Sequence, residues 1–229
     1  MRDRRARDAR RRLVFIVMTL ITISASYGAG GSEIGPELAK RLGVPFLDRN
    51  IPVAVAERLA VPLAQALDHD QSVSSVLDRL LAGFAGAAGY AGVAGYGVPA
   101  VVDTVAEKSY AQTTEQVIQE HAADGAAIIL GRAGSVVLKE DPRALHVRLD
   151  GPTEQRVVQA MRIQDVDRET AERRMRETDR AREAYVRHFY NTDVHDPHLY
   201  QLMIDSTAVQ LDACVEIIDL AARSHTRSP

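Results

Sequence analysis

"ITISASYGAGGSEIG" (residues 21–35) joins an apolar, β-branched run to a stretch of helical periodicity through a turn with three glycines in five residues. The run LITIS (20–24) is short and suited to a central parallel strand. In YGAGG (27–31) the glycines let backbone N–H groups turn inward around an anion, since glycine reaches conformations closed to other residues. SEIGPELAKRLG (32–43) then sets Ile34, Leu38 and Leu42 four residues apart and ends at Gly43, a helix with a C-terminal stop. The N-terminus of that helix points at the turn, where its dipole favours phosphate.

Against the phosphate-loop pattern GxxxxGK[ST], Gly30 and Ser32 fit, whereas Ala25 takes the first glycine position and Gly31 the lysine position. On its own such a turn also fits a plain tight connection, so other segments have to decide. AADGAAIILGRAGSVVLKEDPRALHVRL (122–149) holds two more apolar runs, AAIIL and LHVRL, around a Gly131-Arg132 turn. An arginine at the mouth of a strand suits anion binding at the carboxyl edge of a parallel sheet, and guanidinium holds phosphate bidentately; a surface arginine after a strand-ending glycine reads the same way. Residues 153–190 read as one basic helix, mostly a solvated, salt-bridged face. Within it, RETDRAREAY (176–185) puts Asp179 three residues before Arg182, on one helical face, with Arg180 between them. There the acid can orient the arginine, as a mobile lid presenting cations to phosphates requires.

The 229 residues fit one domain with appended subdomains. With 26% charged and 46% hydrophobic residues the composition is that of a globular chain, and the net charge of −3 points to no polyanion partner. Residues 1–17 carry +5, leaving −8 for the rest. The start permits three readings: a secretory signal cut near Ala25 or Ser26, a basic arm, or a disordered extension (1–17) before structure begins near Met18. The third is adopted, because cleavage there would destroy the strand–loop–helix unit. Cys214 is the sole cysteine, which excludes an internal disulfide, and it reads as a buried filler. His195, Asp196 and His198 read as surface residues of a loop, and Tyr185, Phe189, Tyr190 and Tyr200 as packing residues.

Helices are expected over 51–69, 72–83, 101–125 and 208–223. Between them, GFAGAAGYAGVAGYG (83–97) has glycine at every third position but no proline inside the repeat, which argues against a collagen helix. It reads as a flexible flap or as a low-complexity loop without a role.

Taken in order, ITISASYGAGGSEIGPELAKRLGVPFLDR (21–49), AEKSYAQTTEQVIQEHAADGAAIILGRAGSVVL (106–138), TDRAREAY (178–185) and LYQLMIDST (199–207) resemble the cytidylate kinase-like family of nucleoside monophosphate kinases. The agreement runs from Met18 to about residue 220 and is loose over 70–105. The resemblance implies an α/β P-loop kinase fold: a parallel sheet flanked by helices, with a monophosphate-binding insertion and a helical LID. It apportions 18–48, 106–160 and 193–229 to the CORE, 49–105 to the insertion and 161–192 to the LID. Gly28, Ala29, Gly30, Gly31 and Ser32 match the ATP phosphate loop, with the Ser32 hydroxyl at the Mg²⁺ position. Asp48 and Arg49 match the start of the monophosphate subdomain, Arg132 the turn facing the acceptor, and Arg180 and Arg182 the LID.

Relatives commonly read Ser-Arg-Glu-Tyr-Gly-Ser-Gly-Gly-Arg-Glu here, so glycine at 31 is a family trait, while Ala25 and Ser32 replace arginines. Cytidylate kinases proper carry an aspartate after the Gly-Arg pair, where this chain has Ala133. Only three lysines exist, and Lys40 lies roughly 13 Å along its helix from Gly31, so charge at the phosphates must come from arginines, with Asp179 orienting Arg182 and with Arg132, Arg180 and Arg182 the catalytic candidates. What the resemblance implies is a cytoplasmic enzyme moving the γ-phosphate of ATP-Mg²⁺ to CMP or dCMP, with nucleotides as partners and neither nucleic acid nor membrane. The alternative is a nucleotide-binding protein of the same type with little or no turnover.

Overall fold

The computed structural model describes residues 19–48 and 104–225, with the backbone alone for 104–110. Arg49, the glycine repeat of 83–97 and the extension 1–17 lie outside the described residues. In chain order the elements are β1 (Leu20–Ala25), α1 (Gly31–Leu42), β2 (Phe46–Leu47), α2 (Thr104–Ala123), β3 (Ala127–Leu130), α3 (Gly134–Val137), β4 (Ala144–Asp150), α4 (Thr153–Gln164), α5 (Arg168–Tyr190), a 3-10 turn (Pro197–Leu199), β5 (Leu202–Asp205) and α6 (Leu211–His225).

The five strands form one sheet in the order β2-β3-β1-β4-β5, every pair parallel. From β1 the chain leaves towards β2 on one side, and from β4 towards β5 on the other. A crevice is therefore expected at the carboxyl ends of these two neighbours, the place where ligands sit in open α/β sheets.

The strands alternate, and the alternation divides the sheet into two unlike faces. Ile21 and Ile23 of β1, with Leu145, Val147 and Leu149 of β4, join Ile34 and Leu38 of α1 and Val215 and Ile218 of α6 in the main hydrophobic core. Cys214 is fully buried in that core, and burial pushes its thiol pKa up, which suits a filler and not a nucleophile. The residues between point the other way: Thr22 stands beside His146 and Ser24 beside Arg148 in the β1–β4 register. These polar groups are satisfied in pairs, as burial demands. Thr22 Oγ1 lies 2.7 Å from His146 Nδ1, and Arg148 donates from Nη1 to Ser24 Oγ (3.1 Å) and from Nη2 to Ser26 Oγ (2.8 Å). Burial lowers the His146 pKa, which favours the neutral imidazole in this pairing.

The single helix expected over 153–190 is two. Asp165 closes α4 in the left-handed conformation (φ 51°), its N–H donating to Met161 O. Asp167 restarts the chain by accepting from the Thr170 N–H at 2.7 Å, a side-chain cap at the head of α5. Gly43 ends α1 in the left-handed conformation, as read from the sequence.

Two compact units are distinguished: one takes the described residues of Met1–Asp48, Ile118–Met175 and His195–Pro229, the other those of Arg49–Val117 and Arg176–Val194. The first contains the sheet. In the second, Tyr185 packs against Phe189 and Tyr190, with ring centroids 4.8 and 6.1 Å apart. Among the described residues no helix is long and apolar enough to cross a membrane.

Candidate functional site

The loop from β1 to α1 is held from behind by three donors. Arg156 Nη1 donates to Tyr27 O (3.0 Å), Gln159 Nε2 to Gly28 O (2.9 Å) and Ser206 Oγ to Ala29 O (2.7 Å). Because a trans peptide points its N–H opposite to its C=O, drawing these carbonyls outward turns the amides of Gly28, Ala29 and Gly30 to the other side. Ala29 uses its N–H to close the turn on Ser26 O at 3.0 Å, and Gly30 O accepts from the Glu33 and Ile34 N–H groups. That leaves the amides of Gly31 and Ser32 in the first turn of α1, where an intrahelical acceptor does not exist. Gly30 supplies no side-chain cap to them. The arrangement is a ring of N–H groups at a positive helix end.

Packing also explains why the glycines stand where they do. Gly28 has φ +79°, and a Cβ there would overlap the Arg156 carbonyl oxygen. At Gly31 a Cβ would meet Ala25 Cβ at 2.7 Å and Leu130 Cδ1 at 3.1 Å. The position of the usual lysine is thus filled by the body of the neighbouring strand, and the loop is shaped for glycine.

Behind the loop, Asp150 ends β4 between two arginines: Arg148 Nη2 at 3.2 Å and Arg156 Nε at 3.6 Å. The Arg148 side chain is buried and that of Arg156 nearly so, 6% and 11% exposed. Burial raises the Asp150 pKa, but the Gly151 N–H, the Ser26 hydroxyl and Arg148 outweigh it, and the carboxyl stays below its usual range. Arg156 Nε also donates to Gly151 O at 3.0 Å.

A second turn follows β3. Gly131 (φ 73°), Arg132 (φ 58°) and Ala133 (φ 53°) are consecutive left-handed residues. The Gly131 N–H donates to Ile23 O on β1, and the Gly134 N–H closes back on Gly131 O, each at 2.9 Å. This turn aims Arg132 at the end of β2, where Nη2 lies 3.1 Å from Asp48 O and 3.8 Å from Asp48 Oδ1. Two candidates read from the sequence, Arg132 and Asp48, are therefore brought together at the carboxyl edge, in the same unit as Gly28, Ala29, Gly30, Gly31 and Ser32. Ser32 is exposed there. Asp179, Arg180 and Arg182 lie on α5 within the second unit; the two arginines are exposed and Asp179 is half-buried. His195, Asp196 and His198 are exposed, with Asp196 accepting from the His198 N–H.

Sequence reasoning missed Arg148, Arg156, Gln159 and Ser206. For Arg148 a signal was present: polar residues at 146, 148 and 150 alternate with apolar ones at 147 and 149, the mark of a strand with a polar face.

The parallel sheet in this order, with the loop at the head of α1, defines a P-loop kinase fold. Among solved structures, the chain is similar to an uncharacterized protein from Eubacterium ventriosum, with 18% identity, a TM-score of 0.62, and 90% of this chain and 98% of that one covered. It is also similar to a shikimate kinase from Acinetobacter baumannii in complex with shikimate, with 15% identity, a TM-score of 0.50, and coverage of 95% and 99%. A shikimate kinase of Ruegeria pomeroyi is 31% identical over 99 residues, 41% of this chain and 43% of that protein, so the chain spans under half the length of this curated relative. The model of the cytidylate kinase-like family matches residues 20–208, and the chain belongs to that family.

Proposed function

We propose that the protein is a cytoplasmic ATP-dependent nucleoside monophosphate kinase that moves the γ-phosphate of ATP-Mg²⁺ to CMP or dCMP. The observation that carries this reading is the loop whose carbonyls are tied back by Arg156, Gln159 and Ser206, which turns its amides to the opposite side, where an anion would be held. Phosphoryl transfer asks for positioning and charge neutralisation and needs no protein nucleophile. In this reading the amides of Gly28, Gly30, Gly31 and Ser32 hold the ATP phosphates, while Ala29 shapes the turn. Arg132, steadied by Asp48, takes the acceptor phosphate together with Arg49. Arg180 and Arg182, the latter oriented by Asp179, neutralise charge developing on the transferred group, a role worth about 10³–10⁵ in rate where arginine performs it.

Mg²⁺ fits the residues present in the manner usual for this ion, through substrate phosphates and few protein ligands. The exposed Ser32 hydroxyl in the first turn of α1 would hold it, and among the described residues no group of three or more His, Cys, Asp or Glu forms a separate cage. When bound, the ion would supply charge that neutralises the phosphates.

The second reading, nucleotide binding with little or no turnover, is favoured by Ala25 and Ser32, which stand where the resemblance puts arginines. A coupled ADP-release assay with ATP-Mg²⁺ separates the two, using CMP, dCMP, the other common monophosphates and shikimate as acceptors. Fastest turnover with CMP or dCMP is expected. Turnover with shikimate alone would replace the acceptor, and none above blank beside measurable ATP binding would leave only the second reading.

A further inference from the structure

Next to the phosphate loop lies a small apolar cluster separate from the main core. Its centre is the Tyr27 ring, buried against Val157 and Ala160 of α4 and Ala171 and Met175 of α5. The Tyr27 hydroxyl donates to Gln164 Oε1 in the last turn of α4 at 2.7 Å, and Arg174 Nη1 of α5 reaches the same oxygen at 3.2 Å. One loop side chain thus engages both arms of the α4–α5 hairpin. The main chain on its C-terminal side is tied to α4 as well, through Arg156 to Tyr27 O and Gln159 to Gly28 O. From this seat α5 runs on as one helix to Tyr190, carrying Asp179, Arg180 and Arg182.

We propose that Tyr27 is a positioning residue that couples anion occupancy of the phosphate loop to the order of the first two turns of α5. An anion on the Gly28 amide fixes the Tyr27–Gly28 peptide plane beside the Tyr27 Cα, and with it the direction of the ring. The ring is buried among Val157, Ala160, Ala171 and Met175, of which the two alanines offer no side-chain freedom to absorb a shift, so its order is passed to the helices that enclose it. The linkage is reciprocal: whatever orders the foot of α5 also orders the loop. The identity of the natural anion rests on the kinase reading, whereas the coupling is a property of the loop and hairpin themselves.

Amide hydrogen exchange on the full chain tests this, with inorganic tripolyphosphate as the anion. In the unaltered protein, exchange should slow roughly fivefold or more in residues 26–31 and also in 168–175. Tyr27→Phe, which keeps the ring, should retain both effects; Tyr27→Leu should retain loop protection and lose that of 168–175. Slow exchange of 144–150 in each variant certifies the fold. Equal protection of 168–175 in the Leu variant overturns the proposal, as does protection of the loop alone in the unaltered protein. If tripolyphosphate protects neither segment, the nucleotide reading falls, and the ligand-free protein decides the coupling. There, Met175→Ala should speed exchange of 26–31 with Tyr27 in place and add nothing in the Tyr27→Leu background. Unchanged loop exchange in Met175→Ala overturns it.

Discussion

After β1 the left-handed residues are glycines, Gly28 and Gly30, and the space around them is taken: the Arg156 carbonyl stands where a Gly28 Cβ would be, and Leu211 Cδ2 comes within 2.7 Å of one at Gly30. After the neighbouring strand β3 they are Gly131, Arg132 and Ala133, and nothing lies within 4 Å of a Cβ built at Gly131. In the first turn the α4 backbone makes glycine a steric requirement at Gly28, while at Gly30 it is the left-handed backbone that favours glycine and the Leu211 side chain can give way. The second keeps two side-chain-bearing residues in an unfavourable conformation with open space around Gly131, and such strain is found where a site needs it. Here its product is the placement of Arg132 against Asp48. One turn is built to present backbone, the other to present a side chain.

Gly28→Ala puts the hardest strain on that distinction. It should cost at least about 3 kcal/mol of stability, read by urea unfolding, and weaken ATP binding on the order of 100-fold as the amides lose their aim. A near-neutral result would mean the loop is not held by α4. Arg132→Met should lower kcat/KM for the monophosphate about 10²–10³-fold while moving the unfolding free energy by less than about 1 kcal/mol. If stability fell and kinetics did not, the strained turn would be serving the fold and not the site. Gly131→Ala meets no neighbour, so its expected cost is only the left-handed conformation, about 1–2 kcal/mol by thermal or urea unfolding. A loss matching that of Gly28→Ala would erase the contrast between the turns. The smallest effect runs in the opposite direction: Ala133→Gly should stabilise by about 0.5–1 kcal/mol through relief of the left-handed Ala, less the flexibility gained by the unfolded chain.

The strand, loop and first helix were legible because each carries a local signature: β-branched residues at 21–23, glycines at 28, 30 and 31, and an apolar repeat ending at Gly43. Arg132 was legible for the same reason, since a strand-ending glycine and an arginine are adjacent. Arg156 and Gln159 were not. On a helix rich in charge they read as solvated, and what ties them to the loop is a bond to carbonyls 129 and 131 residues away. Ser206 is similar, a serine in a polar turn until the fold brings it under Ala29. Periodicity missed the break at Asp165 because charged residues populate both helices and mask the cap at Asp167.

The contact between Ala25 and the space beside Gly31 has a consequence for how this loop can change over generations. Lysine at 31 is not one substitution away: Gly31→Lys would press its Cβ into Ala25 Cβ, and any side chain at 25 supplies that atom. The two positions are therefore epistatic, and Ala25→Gly has to precede or accompany a lysine. A lineage that needs more positive charge at its phosphates has easier ground at position 32, which is exposed.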